Sequence, residues 1–177
     1  MRLAVVGTGL MGASVALAAK RAGTVRVAGF DTDRDVVERA VARGAVDDPA
    51  ATLEEALASA DLAVVAVPVA ALASQVEAVL AASPEECTVT DVGSTKVAVC
   101  RAAGGSPRFV GGHPVCGSET RGPDHASADL FDGATWFLTP LPETDPDRYR
   151  LVHGFVASLG AVPVAVSPRA HDRLVAL

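Results

Sequence analysis

Short Val- and Ala-rich runs alternate along the chain with stretches whose apolar residues recur every three to four positions. Residues 2–7 (RLAVVG) have the continuous apolar character of a strand buried on both faces. A helical pattern follows over 10–22 and closes at Gly23. Next come a strand over 25–31, an amphipathic helix over 33–43 closed by Gly44, and a short helix over 53–59. The most apolar run, 62–67 (LAVVAV), is a strand stopped by Pro68, and the spacing beyond it predicts a helix over 69–82. Strand 87–92, helix 95–103 and strand 108–112 continue the alternation. A polar stretch from His113 to Gly133 interrupts it before strand 135–139, helix 146–159 and strand 161–166. Such alternation predicts an α/β fold, a doubly wound and mostly parallel sheet with crossover helices. The last segment, 167–177, starts a further helix and reaches Leu177 without a C-cap glycine, so the polypeptide is expected to continue.

Composition narrows the classes. Half of the 177 residues are apolar, enough for a core, and the net charge is −6. No Lys/Arg run provides the basic face of a nucleic-acid binder, so none is expected as a partner. Cys87, Cys100 and Cys116 are odd in number and lack metal-ligand spacing, which points to a reducing cytoplasm and to no metal. No secretory signal is visible, and no segment is apolar and long enough to span a bilayer, so no membrane is expected.

Chemistry gathers at predicted strand ends. Gly7-Thr8-Gly9-Leu10-Met11-Gly12 matches G-x-G-x-x-G, follows a strand and opens a helix. Gly7 permits the tight turn, Gly9 lets the backbone approach a pyrophosphate, and Gly12 lets helix and strand pack closely. Phosphates would then meet free N–H groups at a helix N-terminus, and Ser14 could add a hydroxyl. Asp31 ends the second strand 19 residues after Gly12, where a carboxylate binds ribose hydroxyls and repels a 2′-phosphate. The cofactor expected of this Rossmann-type domain is NAD, with Arg34 close enough to leave strict preference over NADP open. As alternatives, the glycines form only a turn and Asp31 only a helix N-cap. Val67 and Pro68, at the end of the apolar strand, should touch the cofactor or simply start a helix.

Two further strands end in Asp91-Val92-Gly93-Ser94-Thr95-Lys96 and Gly112-His113-Pro114-Val115-Cys116-Gly117-Ser118-Glu119. In a parallel sheet both ends fall on the edge that carries the phosphate loop. His113 is therefore the candidate base, with Ser94 either a site residue, an N-cap for 95–103, or both.

These two segments resemble the prephenate and arogenate dehydrogenases, as do Leu130-Phe131-Asp132-Gly133-Ala134-x-Trp136-x-Leu138-Thr139-Pro140 and Ser167-Pro168-x-x-His171-Asp172. The resemblance runs the length of the chain. Cys116 stands where Ala is common, and Arg121 where Lys is frequent. The resemblance implies oxidative decarboxylation of prephenate or arogenate in tyrosine biosynthesis. His113 would accept the proton of the ring C4 hydroxyl while hydride leaves C4 for NAD and CO2 is lost. Ser94 would orient the hydroxyl and His113, contacting cofactor and substrate. Gly117, Ser118 and Glu119 would line the substrate pocket, with Glu119 as a gate. It also implies that residues 1–166 form the dinucleotide-binding domain. Residues 167–177 would be the first helix of a helical domain, absent here, that makes a homodimer and supplies an arginine for a substrate carboxylate. His171 would face that domain.

Lys96 and Arg121 read as local cations or solvated surface charges, His125 and His153 as surface residues, and Trp136 as core. Two other readings stay open: a β-hydroxyacid or hydroxyacyl-CoA dehydrogenase, which shares the glycine motif, and a non-catalytic NAD-binding module.

Overall fold

The structure is a computed structural model describing residues 1–23, 25–116 and 122–176. Its strands are β1 (Arg2–Val6), β2 (Arg26–Phe30), β3 (Asp48–Pro49), β4 (Leu62–Val65), β5 (Thr88–Asp91), β6 (Phe109–Pro114), β7 (Thr135–Thr139) and β8 (Val162–Ala165). The helices are α1 (Leu10–Ala22), α2 (Arg34–Ala42), α3 (Leu53–Leu57), α4 (Val69–Ala82), α5 (Val97–Ala102), α6 (Pro146–Ser158) and α7 (Pro168–Val175), with a 3-10 turn at Pro123–His125. One eight-stranded sheet has the order β3-β2-β1-β4-β5-β6-β7-β8. Every neighbouring pair is parallel except β6 and β7, which run antiparallel with His113 opposite Phe137.

Alternation within each strand explains the three layers. Leu3 and Val5 of β1 point into one apolar cluster with Val15 and Ala16 of α1 and Val152 and Val156 of α6. Ala4 and Val6 point the other way, into a cluster with Leu57 of α3, Leu72 and Val76 of α4, and Val99 of α5. Period-two side chains thus bury the strand on both faces, the reason its sequence is apolar throughout. Trp136 is wholly buried with its ring 5.1 Å from that of Phe131.

Most predicted elements form within a residue or two of their expected limits. β3 carries no pattern a sequence could show: it is two residues, Asp48 and Pro49, laid beside Ala28 and Gly29. β6 runs two residues further than expected, because pairing with β7 draws His113 and Pro114 into the strand. Further on, Asp124 pairs with Arg39 at 2.8 Å and the Ala126 carbonyl accepts from Arg43.

Candidate active site

The sheet order reverses between β1 and β4, so their outgoing chains separate and leave a crevice at the carboxyl ends of the strands. A cleft of about 720 Å³ opens there. It is lined by Gly7, Gly9, Leu10 and Met11 after β1, Asp31 after β2, Val67 and Pro68 after β4, Ser94 after β5, and His113 from β6. A second hollow of about 580 Å³ adjoins it beyond Asp31, between Arg34, Glu38 and Ala50.

The glycine loop has a steric logic. Gly7 adopts φ +92°, and a Cβ there would lie 2.5 Å from the Ala66 carbonyl oxygen. At Gly12 a Cβ would lie 1.9 Å from the Gly7 carbonyl oxygen and 2.8 Å from Val5 Cγ1, so only glycine lets α1 lie this close to β1. Gly9 differs: it is the N-cap of α1, and a Cβ there would meet nothing within 4 Å. That open cradle sits in front of the first-turn N–H groups of α1, which have no carbonyl of their own helix to bond. Thr8 is buried behind the loop, and its N–H donates to Asp31 Oδ2 at 2.9 Å. The other carboxylate oxygen accepts from the Asp33 N–H. Asp31 therefore belongs to the loop and not to the helix, since α2 is capped by Asp33, which accepts from the Asp35 N–H. Arg34 is exposed and pairs with Glu38 at 3.2 Å. Ser14 does not reach the cleft. It is buried, and its hydroxyl accepts the Ser127 N–H at 3.1 Å.

His113 is half-buried, and its Nδ1 lies 2.9 Å from Nε2 of His171. Burial, and then the neighbouring His171 and Lys96, push its pKa down to about 4 against a pull upward from Asp172. Taken at its unperturbed value, near 6.5, this group would switch close to neutrality. In its actual surroundings it is a neutral imidazole across the physiological range. His171 is completely buried, and its Nδ1 lies 2.8 Å from Asp172 Oδ1. Asp172 in turn accepts the N–H groups of Lys96 (2.7 Å) and Val97 (3.0 Å).

Three expectations need correction. Ser94 is not the cap of α5: that helix starts at Val97, and its leading N–H groups are met by the side chain of Asp172, 75 residues away. Ser94 is an exposed residue of the cleft wall. Lys96 is not a solvated charge. It is wholly buried, ion-paired with the equally buried Asp91, and donates to the Gly112 carbonyl at 2.7 Å. Asp91 also accepts the Gly93 and Gly112 N–H groups, so this pair ties the outgoing ends of β5 and β6 together. His171, expected to face a following domain, is instead wholly buried beside His113, a contact that nothing in the sequence announced. His125 and His153 are exposed. Gly117, Ser118, Glu119 and Arg121 lie outside the described residues. Among the described residues no cluster of three or more His, Cys, Asp or Glu side chains could hold a metal ion, and no helix is long and apolar enough to cross a membrane.

Residues 15–165 match the family described as prephenate dehydrogenase, nucleotide-binding domain. The chain belongs to this family. A probable prephenate dehydrogenase, NovF of Streptomyces niveus, is 38% identical over 185 residues, covering 100% of this chain and 48% of that protein. The crystal structure of Synechocystis arogenate dehydrogenase superposes with a TM-score of 0.92 at 32% identity, over 99% of this chain and 63% of that one. Prephenate dehydrogenase from Aquifex aeolicus, in complex with hydroxyphenyl propionate and NAD+, superposes with a TM-score of 0.90 at 30% identity, over 98% of this chain and 62% of that one. This prephenate dehydrogenase nucleotide-binding domain thus spans about half the length of the curated relative and under two thirds of the solved ones.

Proposed function

We propose that the chain binds NAD in the cleft and carries the base of an oxidative decarboxylation whose substrate is prephenate or arogenate. The observation that carries this reading is the neutral, half-buried imidazole of His113 lining the same cleft as the glycine loop. The open space at Gly9 fits a pyrophosphate, with the N–H groups of the α1 first turn as its donors. Asp31, already fixed by two backbone N–H groups, would accept the ribose hydroxyls, and the hollow beyond it suits the adenine. Val67 and Pro68 would wall the cofactor, and Leu10 and Met11 would keep water from it.

When bound, NAD supplies the hydride acceptor. His113 takes the proton of the C4 hydroxyl as the C4–H bond yields its electron pair. Loss of CO2 then makes the ring aromatic and leaves a phenolate oxygen, to which His113 returns the same proton. The protein needs no net proton source, and aromatisation makes the step irreversible. Ser94 would orient the hydroxyl from the neighbouring strand end, and Gly117, Ser118 and Glu119 would complete the substrate wall. Residues 1–166 would form the cofactor domain and 167–177 the first helix of a helical, dimer-forming domain. The whole protein would be a cytoplasmic homodimer.

The test is NADH formation with prephenate and with arogenate, by the wild type and His113→Asn. Turnover should fall roughly 10²–10⁴-fold in the variant while NAD affinity is kept. Wild-type turnover by the variant would refute the role of His113. NAD binding with no turnover of either substrate would favour a non-catalytic module.

A further inference from the structure

We propose that His171 and Asp172 are positioning residues that hold His113 in the tautomer with its proton on Nδ1, so that the lone pair on Nε2 is the one offered to substrate. The inference deepens the reading of His113 as the base and rests on it for its catalytic consequence.

The argument starts from the acceptor-only end of the chain of contacts. Burial alone would raise the Asp172 pKa, but its hydrogen bond with His171 and the Val97 and Lys96 N–H groups outweigh that, leaving the carboxyl below its ordinary range. Asp172 is thus an ionised carboxylate, which can only accept. The His171 nitrogen 2.8 Å away, Nδ1, must therefore carry the hydrogen. In a neutral His171 the opposite nitrogen, Nε2, then holds a lone pair. It faces His113 Nδ1 at 2.9 Å, so His113 must be the donor at that contact. His113 has one proton to place when neutral, and this contact takes it. Its other nitrogen is left as an acceptor.

The geometry around the pair is fixed. His171 is wholly buried, with its ring 5.0 Å from that of His113 at 72° and 5.4 Å from that of Phe137 at 84°. Asp172 cannot swing away without abandoning the two leading N–H groups of α5. The arrangement also suits the proton balance. A base that must receive one proton and return it needs a fixed orientation and a nearby negative charge while it is an imidazolium, and Asp172 provides that charge through His171. The logic is that of a buried carboxylate holding a catalytic imidazole in one tautomer, with a second imidazole interposed.

The test reads the tautomers directly. Long-range ¹H–¹⁵N correlation spectra of the labelled protein near neutral pH would be assigned among the four histidines with His113→Asn and His171→Leu. The expected pattern is a proton on Nδ1 of both His113 and His171. Asp172→Asn keeps an oxygen for the Val97 N–H but turns an amide donor toward His171 and the Lys96 N–H, which share Oδ1 in the wild type. The proton of His171 should move to Nε2, and His113 should follow, presenting N–H to the cleft. Turnover should then drop roughly 10²–10⁴-fold with NAD affinity unchanged. Should Asp172→Asn prove unstable, His171→Leu removes the acceptor at His113 Nδ1 while Asp172 keeps its bonds to the Lys96 and Val97 N–H groups, and should leave His113 in mixed tautomers. A wild-type His113 protonated on Nε2, or an Asp172→Asn variant with the wild-type pattern and turnover, would overturn the proposal. The assigned pattern in a protein that turns over neither substrate would support the tautomer assignment and overturn the substrate reading alone.

Discussion

Alanine at Gly9 and alanine at Gly12 should damage different things, although the two glycines lie three residues apart in one motif. At Gly12 the added Cβ would be 1.9 Å from a backbone oxygen that cannot rotate away, and 2.8 Å from Val5 Cγ1. Either α1 lifts from β1 or the Gly7 turn deforms. Overpacking of this severity costs about 3 kcal/mol, offset by about 1 kcal/mol from the better helix propensity of alanine. The net loss of about 2 kcal/mol should lower Tm by roughly 4–8 °C for a chain of this size. At Gly9 the backbone has φ −67° and ψ −158°, which any residue adopts, and the Cβ has open space. A small gain in unfolded-state entropy roughly cancels the poorer N-cap, so Tm should move by no more than about 2 °C. The methyl group would instead stand where the pyrophosphate approaches. Losing one hydrogen bond to a charged group costs about 1.5–3 kcal/mol, or roughly 10- to 150-fold in affinity. Calorimetric melting and isothermal titration with NAD separate the two effects. A Gly9→Ala protein with wild-type NAD affinity, or a Gly12→Ala protein with the wild-type Tm, would refute the reasoning.

Four further outcomes follow from the site. Because the folded His113 pKa is about 4 and the unfolded value about 6.5, the unfolded chain binds the extra proton between those limits. Its contribution is therefore complete above pH 6.5 and lost as pH falls toward 4. Discounted for the solvent screening of a half-buried group, the loss is about 1–2 kcal/mol, and urea melts at pH 7 and pH 4.5 should show it shrink in His113→Asn. The same shift predicts kcat/KM flat between about pH 6 and 8, where an unperturbed imidazole would give a rise; a titration near 6.5 in the free enzyme would contradict it. Lys96→Met leaves the buried Asp91 carboxylate without its ion-pair partner and should cost about 3–5 kcal/mol in urea unfolding, whereas an unchanged midpoint would mean that the pair contributes nothing. Asp31→Ser should reduce the preference for NAD over NADP by roughly 10-fold or more, read from the ratio of their kcat/KM values.

The parts legible in the sequence were those whose cause is local. Buried parallel strands must be apolar on both faces, so β1 and β4 announce themselves. Gly12 can be assigned a helix-packing role because the constraint lies within the motif. The parts not legible depend on distant partners. Nothing local marks Asp172 as the cap of α5, because the acceptor comes from another helix. The same holds for Lys96, whose burial depends on Asp91 and the Gly112 carbonyl meeting it from two strands. The pKa of His113 is set by burial and by a histidine 58 positions away, so only an unperturbed value could be assumed beforehand. β3 is two residues long, and its pairing with β2 leaves no periodicity to detect.

A crystal structure of the protein with NAD+ bound tests the central claim most directly. The account predicts the pyrophosphate over Gly9, the adenosine ribose on Asp31, and the nicotinamide ring beside the Nε2 edge of His113. A dinucleotide seated elsewhere, or a nicotinamide ring pointing away from that imidazole, would contradict it.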